Sequence, residues 1–167
     1  MNKSETLKGI IISGRGIGSH RVTDLIHSFK DIHEKSIQLF PGTLNIILNK
    51  PLFLDNKKAY CQFNNSFFFW DIKLNGLLCY AYRWKKCPDH IIEIVSEYRL
   101  RDYFDLKEGS IVDIEIETQK TKKDFSRFLV WLFFWSFRTK WYYKYDTYEL
   151  FVGKVLNAYY KIKKKKV

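Results

Sequence analysis

Ser66-Phe67-Phe68-Phe69-Trp70-Asp71-Ile72-Lys73-Leu74-Asn75-Gly76-Leu77-Leu78-Cys79-Tyr80-Ala81-Tyr82-Arg83-Trp84 reads as two strands joined by a two-residue turn. Asn and Gly both accept positive φ, which a turn matched to the right-handed strand twist requires, and the flanks are rich in aromatic residues. Working outward, Lys58 to Phe63 reads as a strand joined to this hairpin through Asn64-Asn65, and His90 to Ser96 as an apolar strand after it. Glu97 to Phe104 is polar and reads as a short helical turn. Lys107-Glu108-Gly109 then turns into Ile111 to Glu117, where Val112, Ile114 and Ile116 alternate with acidic residues. Upstream, Thr6 to Ser13 and Asn45 to Leu48 read as strands. Between them Val22 to Lys35 has the helical stripe Leu25, Ile26, Phe29 and Ile32. The pattern predicts a mainly β chain: a compact barrel of six to seven short strands over residues 6–119, with one inserted helix.

A chain of 167 residues suffices for one well-buried domain and an appendage. Its charge is concentrated at one end. Residues 120–167 hold 13 of the 29 basic and 3 of the 18 acidic residues, a net of +10. Residues 1–119 are nearly neutral at +1, so the pI of about 9.5 belongs to the tail and argues against a nucleic-acid-binding barrel. Cys61, Cys79 and Cys87 are odd in number and lack C-x-x-C spacing, which fits reduced thiols better than a disulfide or zinc site. His20, His27, His33 and His90 form no ligand pattern. The N-terminal Met1-Asn2-Lys3-Ser4-Glu5 has no apolar signal core, and the expected location is cytoplasmic.

Composition changes at Gln119-Lys120-Thr121-Lys122-Lys123, which reads as a basic linker into a helical tail, residues 120–167. Phe128 to Trp135 is an uninterrupted apolar run bracketed by Arg127 and Arg138. It is too short to span a bilayer, which takes about 20 apolar residues. Trp131, Trp135, Arg138 and Trp141 are types that favour the headgroup level. Phe151, Val155, Ala158, Tyr159 and Ile162 follow helical spacing before Lys163 to Lys166. Residues 125–166 therefore read as a peripheral contact with anionic membrane on its inner face. Packing on the barrel or a homodimer seam is the alternative, and nucleic-acid binding is the least favoured.

Ser13-Gly14-Arg15-Gly16-Ile17-Gly18-Ser19-His20 follows the first strand, and Pro41-Gly42-Thr43-Leu44-Asn45 precedes the second. Alternating glycines let backbone N–H groups approach a polyanion, with Arg15 and Arg21 as countercharge. Thr43 and Asn45, two residues apart in an extended segment, put two hard oxygen donors on one side, as Mg²⁺ prefers. Each segment also reads as ordinary turn chemistry. The spacing is neither a Walker loop nor a dinucleotide fingerprint.

Taken in register, the segments resemble the archaeal CTP-dependent riboflavin kinases, which have a cradle-loop β-barrel. Gly9-Ile10-Ile11-Ile12-Ser13-Gly14-Arg15-Gly16-Ile17-Gly18 is similar to that family's strand and nucleotide loop, and Pro41 to Ile46 to its metal turn. Ile91-Ile92-Glu93-Ile94-Val95, with Tyr98-Arg99-Leu100-Arg101 and Leu106 to Val112, is similar to its third segment. The likeness covers residues 7–117 and leaves out the tail. It implies that Arg15, Gly16, Ile17, Gly18, Ser19 and His20 surround the CTP phosphates, that Thr43 and Asn45 bind Mg²⁺, and that Tyr98, Arg99, Leu100 and Arg101 line the cytidine. It also implies that Glu93 faces the acceptor. Arg15 and Glu93 are then the catalytic candidates: Arg15 holds the departing diphosphate and Glu93 orients or deprotonates the acceptor hydroxyl. An alternative for Glu93 is an edge-strand carboxylate paired with Arg99 or Arg101. Trp84-Lys85-Lys86-Cys87-Pro88-Asp89 departs from the family pattern, which places a Thr near the flavin there.

The expected function is Mg²⁺-dependent transfer of a phosphoryl group from CTP to a small hydroxylated acceptor: riboflavin, a sugar-like alcohol or a lipid-linked alcohol. The competing readings are a non-catalytic barrel, akin to swapped-hairpin DNA-binding proteins, and a membrane-surface scaffold.

Overall fold

The computed structural model describes residues 3–14, 39–63, 67–84 and 87–137. Seven strands form one sheet: β1 (Ser4–Ile12), β2 (Leu44–Leu48), β3 (Cys61–Phe63), β4 (Phe67–Leu74), β5 (Leu77–Trp84), β6 (Ile91–Val95) and β7 (Ile111–Glu117). Their order is β3-β4-β5-β6-β2-β1-β7, and β4 pairs again with β7. Six strands therefore close into an antiparallel barrel, with β3 attached outside β4. The class expected from the sequence is observed.

The central hairpin is where the Asn-Gly signal puts it. Asn75 and Gly76 both have positive φ, 46° and 86°, and β4 pairs with β5 from Leu74↔Leu77 to Phe67↔Trp84. Alternation then decides which residues enter the barrel. Leu7, Ile11, Leu44, Ile46, Leu48, Ile72, Leu74, Ile92, Ile94, Val112, Ile114 and Ile116 join one buried cluster, plugged by Leu52, Leu54 and Leu100. Strand β6 is buried on both faces, so it reads as a continuous apolar run broken only by Glu93.

Several boundaries differ from the sequence reading. Lys58 to Phe63 is not one strand: a 3-10 turn, Asn56–Lys58, is capped by the Asp55 carboxylate, and pairing begins only at Cys61. His90 lies in the turn before β6. The polar stretch after β6 contains the single-turn helix α1 (Leu100–Tyr103). Gln119-Lys120-Thr121-Lys122-Lys123 is not a free linker. Thr121 bridges to Leu54, Lys122 N–H donates to the Phe53 carbonyl at 2.9 Å, and Lys120 accepts from Asp55 N–H at 2.9 Å.

Beyond this stitch, α2 (Phe125–Val130) starts at Asp124, whose carboxylate accepts from Arg127 N–H at 3.0 Å. It widens into a π-helical turn, Trp131–Trp135, closed by Ser136 N–H on the Trp131 carbonyl at 3.0 Å. Trp135 is buried with Cys87 and Ile91, against Trp84, Trp131 and Phe134. Arg127 forks onto the Asp89 carboxylate and stacks 5.4 Å from the Phe53 ring. No helix among the described residues is long and apolar enough to cross a membrane. The inserted helix at 22–35, Arg138, Trp141 and the second tail helix lie outside the described residues.

Candidate functional site

Strand pairing sets the site's geometry. β2 and β6 pair antiparallel with Asn45 opposite Glu93 and Leu44 opposite Ile94. Leu44 and Ile46 enter the barrel, so Thr43 and Asn45 belong to the outer face of the wall, about 7 Å apart along the strand. Both are half-buried. Glu93 shares that outer face. It is 8% exposed and lies in a strand flanked on both sides, which removes the edge-strand reading of its carboxylate. Across β6 from Asn45, the register puts Tyr82 of β5 opposite Glu93.

The stem of the glycine loop reaches the same wall. A Cβ built on Gly14 would lie 2.3 Å from Asn45 Nδ2, so the chain leaving β1 presses its bare backbone onto the Asn45 carboxamide. Only glycine permits that approach without displacing the amide. Ser13 Oγ donates to Glu108 at 2.5 Å, which ties the stem to the turn before β7. Arg15, Gly16, Ile17, Gly18, Ser19 and His20 lie outside the described residues.

The segment after β6 completes the arrangement. Phe40 N–H donates to the Ser96 carbonyl at 2.7 Å, while Ser96 Oγ accepts from Tyr98 N–H at 3.2 Å. Arg101 Nη2 donates to the Ile12 carbonyl at 3.0 Å, joining α1 to the loop stem. Between these ties opens a cleft of about 220 Å³, lined by Phe40, Thr43, Ser96, Tyr98, Arg99 and Arg101 and floored by Leu100. That is below the roughly 300–1,000 Å³ of a drug-sized pocket and suits a single ring.

The four residues expected to line the cytidine have different fates. Tyr98 is exposed and tilts against Tyr103, with ring centroids 4.9 Å apart. Arg99 is exposed and pairs with Asp102 at 3.2 Å. Leu100 is a core residue whose side chain only floors the cleft, and Arg101 is half-buried. The structure thus brings Thr43, Asn45, Glu93, Gly14 and the 98–101 segment to one side of the barrel. Trp131 and Trp135 belong to a different region.

Ser96 and Phe40 were missing from the sequence-based site. Their contribution is to bind the β6 exit to the turn before β2, and it depends on a pairing between segments more than 50 positions apart. Sequence periodicity carries no signal for it.

Residues around the end of β5 have a structural occupation. Arg83, 5% exposed, donates from Nε to Ile91 O at 2.7 Å, from Nη1 to Leu52 O at 2.6 Å and from Nη2 to Asp89 O at 2.8 Å. Cys87 and Asp89 then receive Trp135 and Arg127 of the tail. Burial pushes the Asp89 carboxyl above its ordinary pKa, although Arg127 and Arg83 pull the other way. Burial also raises the Cys87 thiol and lowers the Arg83 guanidinium. Trp84, Cys87 and Asp89 thus seat the tail's helical segment. Cys79 and Cys87 are free and buried.

No protein-family model matches the chain, and a search of curated proteins finds no match. The class that can be stated is a mainly β protein built on a closed six-stranded antiparallel barrel, with a cleft where β2 begins and β6 ends and a short tail helix docked on the barrel.

Proposed function

We propose that this barrel is of the cradle-loop type and is a Mg²⁺-dependent phosphotransferase, using CTP to phosphorylate a hydroxyl of a small acceptor. The observation that carries the reading is the β2–β6 register. It puts Asn45 opposite Glu93 while Gly14 abuts Asn45 and Thr43 borders the cleft formed with residues 98–101. Segments distant in sequence, each suited to one part of phosphoryl transfer, converge there.

The donor chemistry fits the ion. Thr43 Oγ1 and Asn45 Oδ1 are neutral hard oxygens, and such a pair leaves Mg²⁺ most of its charge and coordination positions for phosphate oxygens and water. When bound, the ion supplies charge neutralisation of the donor's terminal phosphates. Residues of the chain carry the rest. Arg101 and the Gly14 backbone fix the loop stem against the wall, and Arg15 holds the departing diphosphate. Tyr98 and Phe40 flank a space the size of one pyrimidine ring. Glu93, out of bulk solvent, orients the acceptor hydroxyl and takes its proton.

The acceptor is a small alcohol: riboflavin, a sugar-like compound or the polar end of a lipid-linked alcohol. Riboflavin is not favoured over the others, because the segment that would meet the flavin holds α2 instead. The test follows CDP release with CTP, Mg²⁺ and a panel of riboflavin, sugars, polyols and prenols, alongside thermal shifts with CTP, ATP and GTP. Cytidine preference with acceptor-dependent CDP release is expected, and the Thr43→Ala/Asn45→Ala variant loses both. Equal shifts for all three nucleotides, or undiminished CTP binding in that variant, overturns the proposal.

A further inference from the structure

The helical segment after the barrel has two apolar faces, and only one is used. Arg127, Trp131, Phe134 and Trp135 turn toward the barrel, where Trp135 is buried on Ile91 and Cys87. Trp131 and Trp135, four residues apart, share that side. The remaining apolar surface of the segment is Phe125, Phe128, Leu132, Phe133 and Phe137, with the Phe128 ring 6.0 Å from that of Trp131. Phe125, Phe133 and Phe137 are strongly exposed, at 74%, 77% and 91%, and Phe128 and Leu132 are exposed at 37% and 38%. Scattered exposed apolar residues are ordinary, but five large side chains on one docked helical segment mark a surface that meets something apolar.

Charge identifies the partner. Exposed Lys122 and Lys123 precede this surface, and Arg138, Lys140 and Lys144 follow it in sequence. The nearest acidic residue, Asp124, is spent capping α2, and Asp89 is spent on Arg127. Residues 120–167 carry +10 while residues 1–119 carry +1. An apolar surface bordered by lysines matches the two components of an anionic bilayer surface, acyl chains beneath negative headgroups.

We infer that the Phe125–Phe137 face is a monotopic membrane-docking surface for anionic lipid, held rigidly on the barrel by Trp135 and the Arg127–Asp89 pair. The docked helix packs at the Ile91 end of β6, whereas the cleft opens near Ser96, roughly 15 Å along the strand. Docking and nucleotide binding therefore use separate surfaces, and the inference stands whether or not the barrel is a kinase.

The test is co-sedimentation of the full chain with vesicles of phosphatidylcholine alone and with 30–40% phosphatidylglycerol, as an order-of-magnitude anionic content. The wild type is expected on the anionic vesicles. Phe133→Ser/Phe137→Ser is expected to weaken that binding about tenfold or more, with unchanged melting temperature because both side chains are exposed. Three results overturn the inference: a wild-type protein that stays in the supernatant with anionic vesicles; a double variant that binds them as well as wild type, which assigns binding to the lysines alone; and a wild-type dimer that the double variant dissociates without any vesicle binding, which assigns the face to a second copy. Sedimentation velocity without lipid distinguishes the last.

Discussion

Asn45 and Glu93 stand directly opposite each other on β2 and β6, and the backbone of Gly14 presses on the Asn45 carboxamide from the β1 side. The Asn45 carboxamide and the shielded Glu93 carboxylate are thereby held by strand pairing, with the chain leaving β1 packed against the carboxamide. Such a scaffold fixes side chains with little entropy to lose on binding a ligand.

Gly14→Ala tests this contact. The added Cβ would lie 2.3 Å from Asn45 Nδ2, a movable side-chain end, so the amide yields and the fold survives. Isothermal titration with CTP and Mg²⁺ is expected to show binding weakened about tenfold or more, equivalent to about 1.4 kcal/mol, with stability changed by less than about 1 kcal/mol. Affinity equal to wild type would mean that the Asn45 position does not matter to the nucleotide.

Arg83 supports the tail's seat, and its three carbonyl bonds make it irreplaceable by lysine. Lys has no planar fork to reach Leu52, Asp89 and Ile91 together. Arg83→Lys is expected to leave one or two buried carbonyls unsatisfied, costing about 3 kcal/mol in urea denaturation. A loss below about 1 kcal/mol would show that water satisfies these carbonyls instead.

Much of this architecture could be read from local pattern, and the parts that could not have a common cause. Asn75-Gly76 announced its hairpin because two adjacent residues must both accept positive φ. Strand β7 was legible because one face enters the core and the other is acidic. Strand order was not legible: the β2–β6 pairing joins residues separated by an unpredictable path, and it is this pairing that brings Asn45 to Glu93. The lysine-rich stretch at 119–123 suggested a linker because composition cannot show where an ammonium group goes. Trp135 suggested an interfacial residue for the same reason, since the run around it is apolar on both sides and only the docked structure distinguishes the buried face from the exposed one.

Cys79 supplies a pH dependence. Burial raises its thiol from 9.0 to about 11, against smaller opposing effects from Ser96 and a backbone bond. The unfolded chain releases this proton near pH 9.0, the folded chain only near 11, so between those values the unfolded state binds fewer protons. Stability from this group is full well below pH 9.0 and is lost as pH rises from there toward 11. Urea denaturation at pH 8 and 10.5 is expected to show a steeper alkaline loss in wild type than in Cys79→Ala, by about 2 kcal/mol. Parallel losses would mean that Cys79 ionises normally in the fold.

Lys120 closes the barrel where its strands part. β4 and β7 pair only at Lys73↔Glu115 and Leu74↔Ile114, and beyond these a space of about 200 Å³ opens between Asp71 and Glu117. The Lys120 ammonium, 12% exposed, spans the gap at 2.5 Å from Asp71 Oδ2 and 3.4 Å from Glu117 Oε2. Lys120→Met keeps the aliphatic stem but leaves two carboxylates facing each other across the seam, at an expected cost of about 1–3 kcal/mol. Hydrogen exchange should quicken at Asp71, Ile72, Ile116 and Glu117, while the amides of β2 and β6 keep their protection because their pairing lies elsewhere in the barrel. A double-mutant cycle with Asp71→Asn isolates the pair and should return a coupling near 1 kcal/mol. Coupling indistinguishable from zero, with exchange unchanged, would show that the β4–β7 ladder alone holds the seam.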